Sequence, residues 1–249
     1  MTSSILSAVH SALFAGLGAV IAAFVIAMFE AWRDARRRRA GEEVRSTIAA
    51  MSSTIALLWV LCAACLTAWL ASGRTLVDLG LSPGDGWRAL IAWAAAIAGS
   101  TYLLASTLVS ISTAARRDKL AKDIQKAGGL GFFELRTRRE VGVFQAMAVT
   151  AGVTEEIVFR GFVLLTLALV LPFWLAVVSS AVIFIAFHAY QGLAGMIRIT
   201  PITLALTVLV VLGGTLWPAI LLHVAVDMVG GMMLWGARSE IAVQRGAVR

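Results

Sequence analysis

The sequence predicts an all-α fold: a polytopic transmembrane bundle of about seven spans, forming one integral-membrane domain. Three observations predict it. First, 60% of the 249 residues are hydrophobic and 14% are charged, with a mean hydropathy of +0.89. A typical soluble domain is about 45–50% apolar and about 25% charged. Second, several apolar runs reach the roughly 20 residues that a membrane-spanning helix needs. Third, the basic residues gather in two loops, as the positive-inside rule requires of a protein of the cytoplasmic membrane.

The first span is read over 5–29. Its apolar run, Leu6 to Phe29, is as long as a signal peptide, but no basic stretch precedes it and its positive charges follow it. That order fits a signal anchor with the N-terminus outside. The first inner loop then holds Arg33, Arg36, Arg37, Arg38, Arg39 and Arg45. The second span, 48–71, contains Cys62 and Cys65. This C-x-x-C lies in an apolar helix without polar neighbours, so packing explains it better than redox or metal chemistry. Only Arg74 and Arg88 face the opposite side, before the third span at 89–113.

The second inner loop carries Arg116, Arg117, Lys119, Lys122, Lys126, Arg136, Arg138 and Arg139. Within it, Ala114 to Ala127 is helix-compatible, with Leu120 and Ile124 on one side and Gly128-Gly129 at its end. It reads either as an interfacial helix on the membrane surface or as a solvated linker. The net charge of +7 and the pI near 10.4 are accounted for by these loops, so nucleic acid is not an expected partner. Residues 1–140 are thus N-terminal spans and basic loops, and 141–237 carry the chemistry.

The fourth span, 142–170, is too long for one straight crossing, because Val141 to Val170 is roughly 45 Å of helix. A break near Gly152 would let Thr154 cap a helix starting near Glu155, with its free N–H groups and positive dipole beside the carboxylates. The fifth, sixth and seventh spans are read as 173–197, 201–215 and 217–236. Arg198, Arg238, Arg245 and Arg249 then fall on the inner side, placing the C-terminus in the cytoplasm. Trp32, Trp87, Trp174, Trp217 and Trp235 lie near span ends, as an aromatic belt would.

From Val141 to Ala237 the only formal charges are Glu155, Glu156, Arg160, Arg198 and Asp227. A carboxylate in hydrocarbon is costly and marks a functional site. Glu156 and Arg160 are four apart and share a helix face, with the acid first, while Glu155 is turned by about 100°. One glutamate is thereby neutralised and the other left available. His188 ends the run Phe184-Ile-Ala-Phe-His. His223 and Asp227 again stand four apart, a spacing that suits metal binding, orientation of the imidazole by the acid, or a polar pair joining helices. Gathering Glu155, His188, His223 and Asp227 in the bundle interior is the cheapest arrangement, and it makes a plausible hydrolase site.

These segments resemble a known family. Glu155 to Arg160 matches E-E-x-x-x-R, Phe184 to His188 matches F-x-x-x-H, and His223 to Asp227 matches H-x-x-x-N/D. In this order, on successive membrane helices, they look like the CAAX prenyl protease and bacteriocin-processing (CPBP, or Abi) family, over about Val141 to Trp235. The resemblance implies an intramembrane endopeptidase acting on a membrane-associated peptide or protein. It implies Glu155 as activator of water, His188 as the group that polarises water or carbonyl, and His223 with Asp227 at the oxyanion. Glu156 and Arg160 become the supporting ion pair. His188, His223 and Glu155 would satisfy a catalytic zinc with an open position, and the same residues also work without metal, as a glutamate-type protease. Relatives often carry asparagine at the place of Asp227, where an ionised aspartate would repel an oxyanion. Asp227 is therefore protonated, a metal ligand, or an orienter of His223.

One geometric tension follows. His188 falls mid-span, whereas His223 lies only about 9 Å below Trp217. The two meet if the fifth span starts late or the sixth is re-entrant. Two rival readings use the same residues. A proton-coupled transporter would favour an inverted repeat, of which the sequence shows no sign. A non-catalytic immunity or scaffold protein of the same family would keep the fold without the hydrolysis.

Overall fold

The computed structural model describes residues 3–42, 46–126 and 135–238. Every regular element among them is helical. In chain order these are α1 (Ser3–Arg39), α2 (Thr47–Ala71), α3 (Gly86–Ser110), α4 (Ala114–Lys126) and α5 (Arg138–Glu155). A π-helical segment, Glu156–Val163, continues α5 into the short α6 (Leu164–Leu167). Next come α7 (Phe173–Phe187), a 3-10 turn (Ala189–Gln191), α8 (Gly192–Gly213) and α9 (Trp217–Gly236).

Five helical stretches are long and apolar enough to cross a membrane: Ser11–Arg37, Thr47–Ala71, Gly86–Ser110, Ala189–Gly213 and Trp217–Gly236. Length and composition by themselves support five of the roughly seven expected spans. Phe173–Phe187 is apolar but shorter, and the long fourth stretch carries the glutamates and arginine that lower its hydropathy. Large apolar side chains such as Phe14, Leu90, Trp174 and Val208 are exposed on the outer surface of the bundle, where lipid replaces water as their solvent. Trp32, Trp87 and Trp217 are also exposed. The segment Ala114–Lys126 is a helix, with Ala121 buried. Gly128-Gly129, expected to end it, lies outside the described residues.

Two corrections concern where helices break. No break precedes the glutamates. Thr154 does not cap a new helix; its hydroxyl donates to the Thr150 carbonyl one turn back, 2.7 Å away, and α5 runs on into the π-helical turns. The second correction moves the boundary between the fifth and sixth stretches from Arg198–Pro201 to His188–Gln191. Gly192 takes φ +74°, a left-handed value that glycine tolerates without strain. Pro201 lies inside α8 instead of starting it. Membrane helices tolerate an interior proline because neighbouring groups satisfy the freed backbone.

Two cores hold the bundle. One packs α1, α2, the π segment and α7 around Cys62, Cys65, Trp69, Phe159, Phe162 and Phe184. Both cysteines are fully buried free thiols. The other joins α3, α8 and α9 through Ala92, Ala96, Leu206, Leu209, Ala219 and Leu222. The α8–α9 corner turns at Gly214, φ +64°, a left-handed C-cap. It docks on the α2–α3 loop: Leu216 N–H donates to the Gly80 carbonyl at 2.8 Å and Trp217 Nε1 to the Leu81 carbonyl at 3.1 Å. That docking sets the height of α9, and with it the height of His223.

At the other end of the bundle, α5 starts with a capping box. Thr137 Oγ1 accepts from Glu140 N, and Glu140 Oε2 accepts from Thr137 N at 2.7 Å. Burial pushes the Glu140 carboxyl up, but the N–H groups of Arg136 and Thr137 and the Thr137 hydroxyl outweigh it and hold the carboxyl below its ordinary 4.5. A depressed carboxylate stabilises the fold above its unfolded value and loses that contribution as pH falls through the folded value. Thr137→Ala is expected to cost about 1 kcal/mol at neutral pH. Thermal unfolding across pH 3–7 should show the wild-type advantage shrinking toward the acid end.

Candidate functional site

The site is built where α5, the π segment, α7 and α9 converge. α9 lies against α5 and α3. Close approach of α5 to α9 depends on Gly152: a Cβ there would meet Val224 Cγ2 at 2.5 Å and the Val224 backbone nitrogen at 2.8 Å. Backbone atoms cannot swing aside as a side-chain tip can. Higher up the same seam, Gln145 Nε2 donates to the Met228 carbonyl at 3.2 Å. Gly152→Ala is expected to cost about 1–3 kcal/mol through overpacking and to widen the gap between Glu155 and His223. A thermal melt and a peptidase assay check the two effects together.

The π segment shapes the charged centre. Its wider turns are a common feature of functional sites, and all eight of its residues are buried. The changed hydrogen-bond register leaves carbonyls to be satisfied from outside, and Ser180 Oγ on α7 donates to the Phe159 carbonyl at 2.7 Å. Glu156 and Arg160, at 0% and 1% side-chain exposure, pair at 2.9 Å. Arg160 also reaches the Thr203 carbonyl on α8 at 3.4 Å and lies over the Phe184 ring, 4.1 Å from its centroid. The guanidinium thus ties three helices while staying out of lipid.

Glu156 does a second thing. Its Oε1 also accepts from His223 Nδ1 at 2.7 Å. A carboxylate acceptor places the proton on Nδ1, so Nε2 is the nitrogen His223 presents to the site. Around that nitrogen stand Glu155 Oε2 at 3.8 Å and Asp227 Oδ2 at 3.7 Å. Glu155 is 16% and Asp227 35% exposed at the side chain. The site therefore has a sealed half, Glu156 with Arg160, and an accessible half, Glu155 with Asp227. His223 connects them. The spacing of His223 and Asp227 had allowed the aspartate to orient the imidazole; here Glu156 holds Nδ1, and Asp227 faces the working nitrogen.

His188 caps the C-terminus of α7, so it ends a helix where mid-span was expected. Its Nδ1 donates to the Phe184 carbonyl at 2.9 Å, which again leaves Nε2 outward. The Phe184 ring touches both imidazoles, with centroids 4.7 Å from His188 and 6.1 Å from His223. His188 is close enough to His223 and Asp227 for their charges to act on it. All six expected residues thus gather in one region, Glu156, Arg160 and His223 most tightly.

As for zinc, no group of three or more His, Cys, Asp or Glu side chains among the described residues is arranged to hold a metal ion. His188, His223 and Glu155, the three expected ligands, form no such group. Sequence reasoning missed Gln145, Gly152 and Tyr190. The glycine left a faint signal beside the glutamates; Gln145 left none, because its contact with Met228 comes from 83 residues along the chain, and Tyr190 left none, because its stacking depends on the turn at His188.

Comparison with known proteins finds one family. Residues 137–229 match the family model of the Rce1-like type II CAAX prenyl endopeptidases. The match covers less than half of the chain, and it contains all six site residues. It bears out the resemblance carried by the three motifs. The apolar helices and the matched protease family together indicate a multi-pass membrane protein. No curated protein and no solved structure matches the chain.

Proposed function

We propose that this protein is an intramembrane endopeptidase that hydrolyses a peptide bond of a membrane-associated peptide or protein, with Glu155 as the base that activates water. The observation that carries the reading is the trio at His223 Nε2. Two partly accessible carboxylates face one imidazole nitrogen whose ring is locked from behind by a buried glutamate. Helices fix these groups in a region shielded from bulk water, where preorganised charge acts most strongly.

In this reading Glu155 takes a proton from water, and His188 Nε2 holds the water for attack. The hydroxide oxygen bonds to the scissile carbonyl carbon, and the carbonyl electrons move onto its oxygen. His223, protonated on both nitrogens with Nδ1–H held by Glu156, donates from Nε2 to that oxyanion. As the carbonyl re-forms, the C–N bond breaks and Glu155 returns its proton to the leaving amine. The protein sits in the cytoplasmic membrane with its N-terminus outside and its C-terminus inside, the orientation the loop charges favour.

Asp227 is the part that departs from the family's frequent asparagine. Its negative charge beside a developing oxyanion opposes the reaction, so Asp227→Asn is expected to keep or raise the rate. Asp227→Ala removes the same charge but supplies no donor to the oxyanion, so it is expected to fall on the order of 10²-fold below Asp227→Asn. Initial rates of the two variants decide the matter: a dead asparagine variant alongside an active alanine variant would contradict the assignment.

The reading itself is tested with purified protein in liposomes and a panel of fluorogenic peptides bearing an apolar membrane anchor. Cleavage in ¹⁸O-water should label the new C-terminus, with and without a zinc chelator. A wild-type protein inert across the panel overturns the proposal.

A further inference from the structure

The turn that follows His188 contains two polar side chains the hydrolytic scheme does not use. Tyr190 lies in the 3-10 turn, two residues after His188, and its ring stacks on the imidazole with centroids 6.0 Å apart and planes 27° apart. Phe184 approaches the same imidazole at 4.7 Å. The imidazole therefore contacts two aromatic rings, while its Nδ1 is tied to the Phe184 carbonyl at 2.9 Å. The Tyr190 ring is itself anchored. Its hydroxyl oxygen accepts from Gln191 Nε2 at 3.0 Å. The Gln191 side chain in turn fills a notch that exists because residue 195 is glycine: a Cβ there would stand 2.4 Å from Gln191 Cβ and 3.1 Å from its Oε1.

We propose that Tyr190 is a positioning residue for His188, held in place by Gln191, which is seated in turn by Gly195. A histidine at a helix C-cap has lost the packing of the next helical turn, so its ring needs another support. Stacking supplies it from the chain side, and the glutamine tether stops the tyrosine ring from rotating away. A phenylalanine keeps the stack and loses the tether; a leucine loses both. The inference rests on the peptidase reading for its effect on rate, but not for its effect on the imidazole.

The test reads the histidine ring directly. The chain has three histidines, so with ring-labelled histidine the signal missing from His188→Gln identifies His188. In protein held in detergent micelles, Tyr190→Leu should move the His188 ring signals, because the aromatic ring current is gone. Tyr190→Phe, which keeps the stack and loses the tether, should shift them only part of the way. Gln191→Ala and Gly195→Ala should each shift them part of the way and in the same direction. On an anchored fluorogenic peptide, Tyr190→Leu should lower kcat on the order of tenfold with KM little changed, and Tyr190→Phe should restore most of it. His188 signals that do not move in Tyr190→Leu overturn the proposal. Should that variant fail to fold, unmoved signals in both Gln191→Ala and Gly195→Ala overturn it as well. A wild-type protein that cleaves nothing removes the peptidase reading, and the ring signals still decide the positioning role.

Discussion

Glu155→Gln is expected to abolish hydrolysis while leaving the protein folded. The substitution keeps the shape of the side chain and removes the only property the proposed step needs, a carboxylate that can take and return a proton. General acid–base groups contribute about 10²–10⁴-fold to a rate, and a base that acts twice in the cycle belongs at the upper end of that range. The fold should tolerate the change. Glu155 is partly accessible, its nearest ionic partner, His223, is 3.8 Å away, and no close ion pair depends on it. The measurement pairs initial rates on anchored peptides with thermal unfolding in the same detergent. Loss of activity with an unchanged melting temperature supports the assignment. A variant that retains more than about a tenth of the wild-type rate places the base elsewhere.

The opposite pattern is expected at the ion pair. Glu156→Ala or Arg160→Ala should destabilise the fold by about 3–5 kcal/mol, because each leaves an uncompensated charge in a sealed interior. Glu156 is the more exposed to this cost. Its Oε1 serves both Arg160 and His223, and its Oε2 is buried with no hydrogen-bond partner among the described residues. Removing both charges at once, as Glu156→Leu with Arg160→Met, should recover much of the lost stability, since a buried pair replaced by apolar groups of similar size is often neutral. Activity should not return in the double variant, because His223 Nδ1 then has no acceptor to fix its tautomer. Unfolding of the two single variants and the double variant forms the decisive cycle. Single variants as stable as wild type would show that the pair is solvated, against the burial described.

These two outcomes divide the adjacent glutamates by role, and the division was partly legible beforehand. The i,i+4 spacing of Glu156 and Arg160 already separated a paired carboxylate from a free one. The spacing could not say that the same carboxylate oxygen also holds an imidazole from α9, 67 residues further along the chain. Likewise, the length of the fourth stretch showed that something irregular happens near Gly152. A helix break was the local solution. The fold chose π-helical turns instead, because the extra backbone groups find a partner in Ser180 on α7. His188 ends a helix and does not lie mid-span for a related reason. Pro201 and Arg198 looked like the start and the charged edge of a helix, but glycine at 192 with φ +74° ends the earlier turn.

What the sequence determined by itself is what depends on composition and short spacing. The membrane class, the helical architecture, the loop-charge bias and the six polar side chains of the candidate site are all readable from residue types at fixed intervals, because hydrocarbon penalises every charge that lacks a purpose. The tertiary structure decided what depends on packing across distant segments: which carboxylate orients His223, where the helix before His188 ends, and how closely α5 and α9 approach at Gly152. The physical reason is one of range. Helical periodicity reports on neighbours within a turn or two, whereas an imidazole's tautomer and a carboxylate's exposure are set by whichever side chain arrives from elsewhere in the fold.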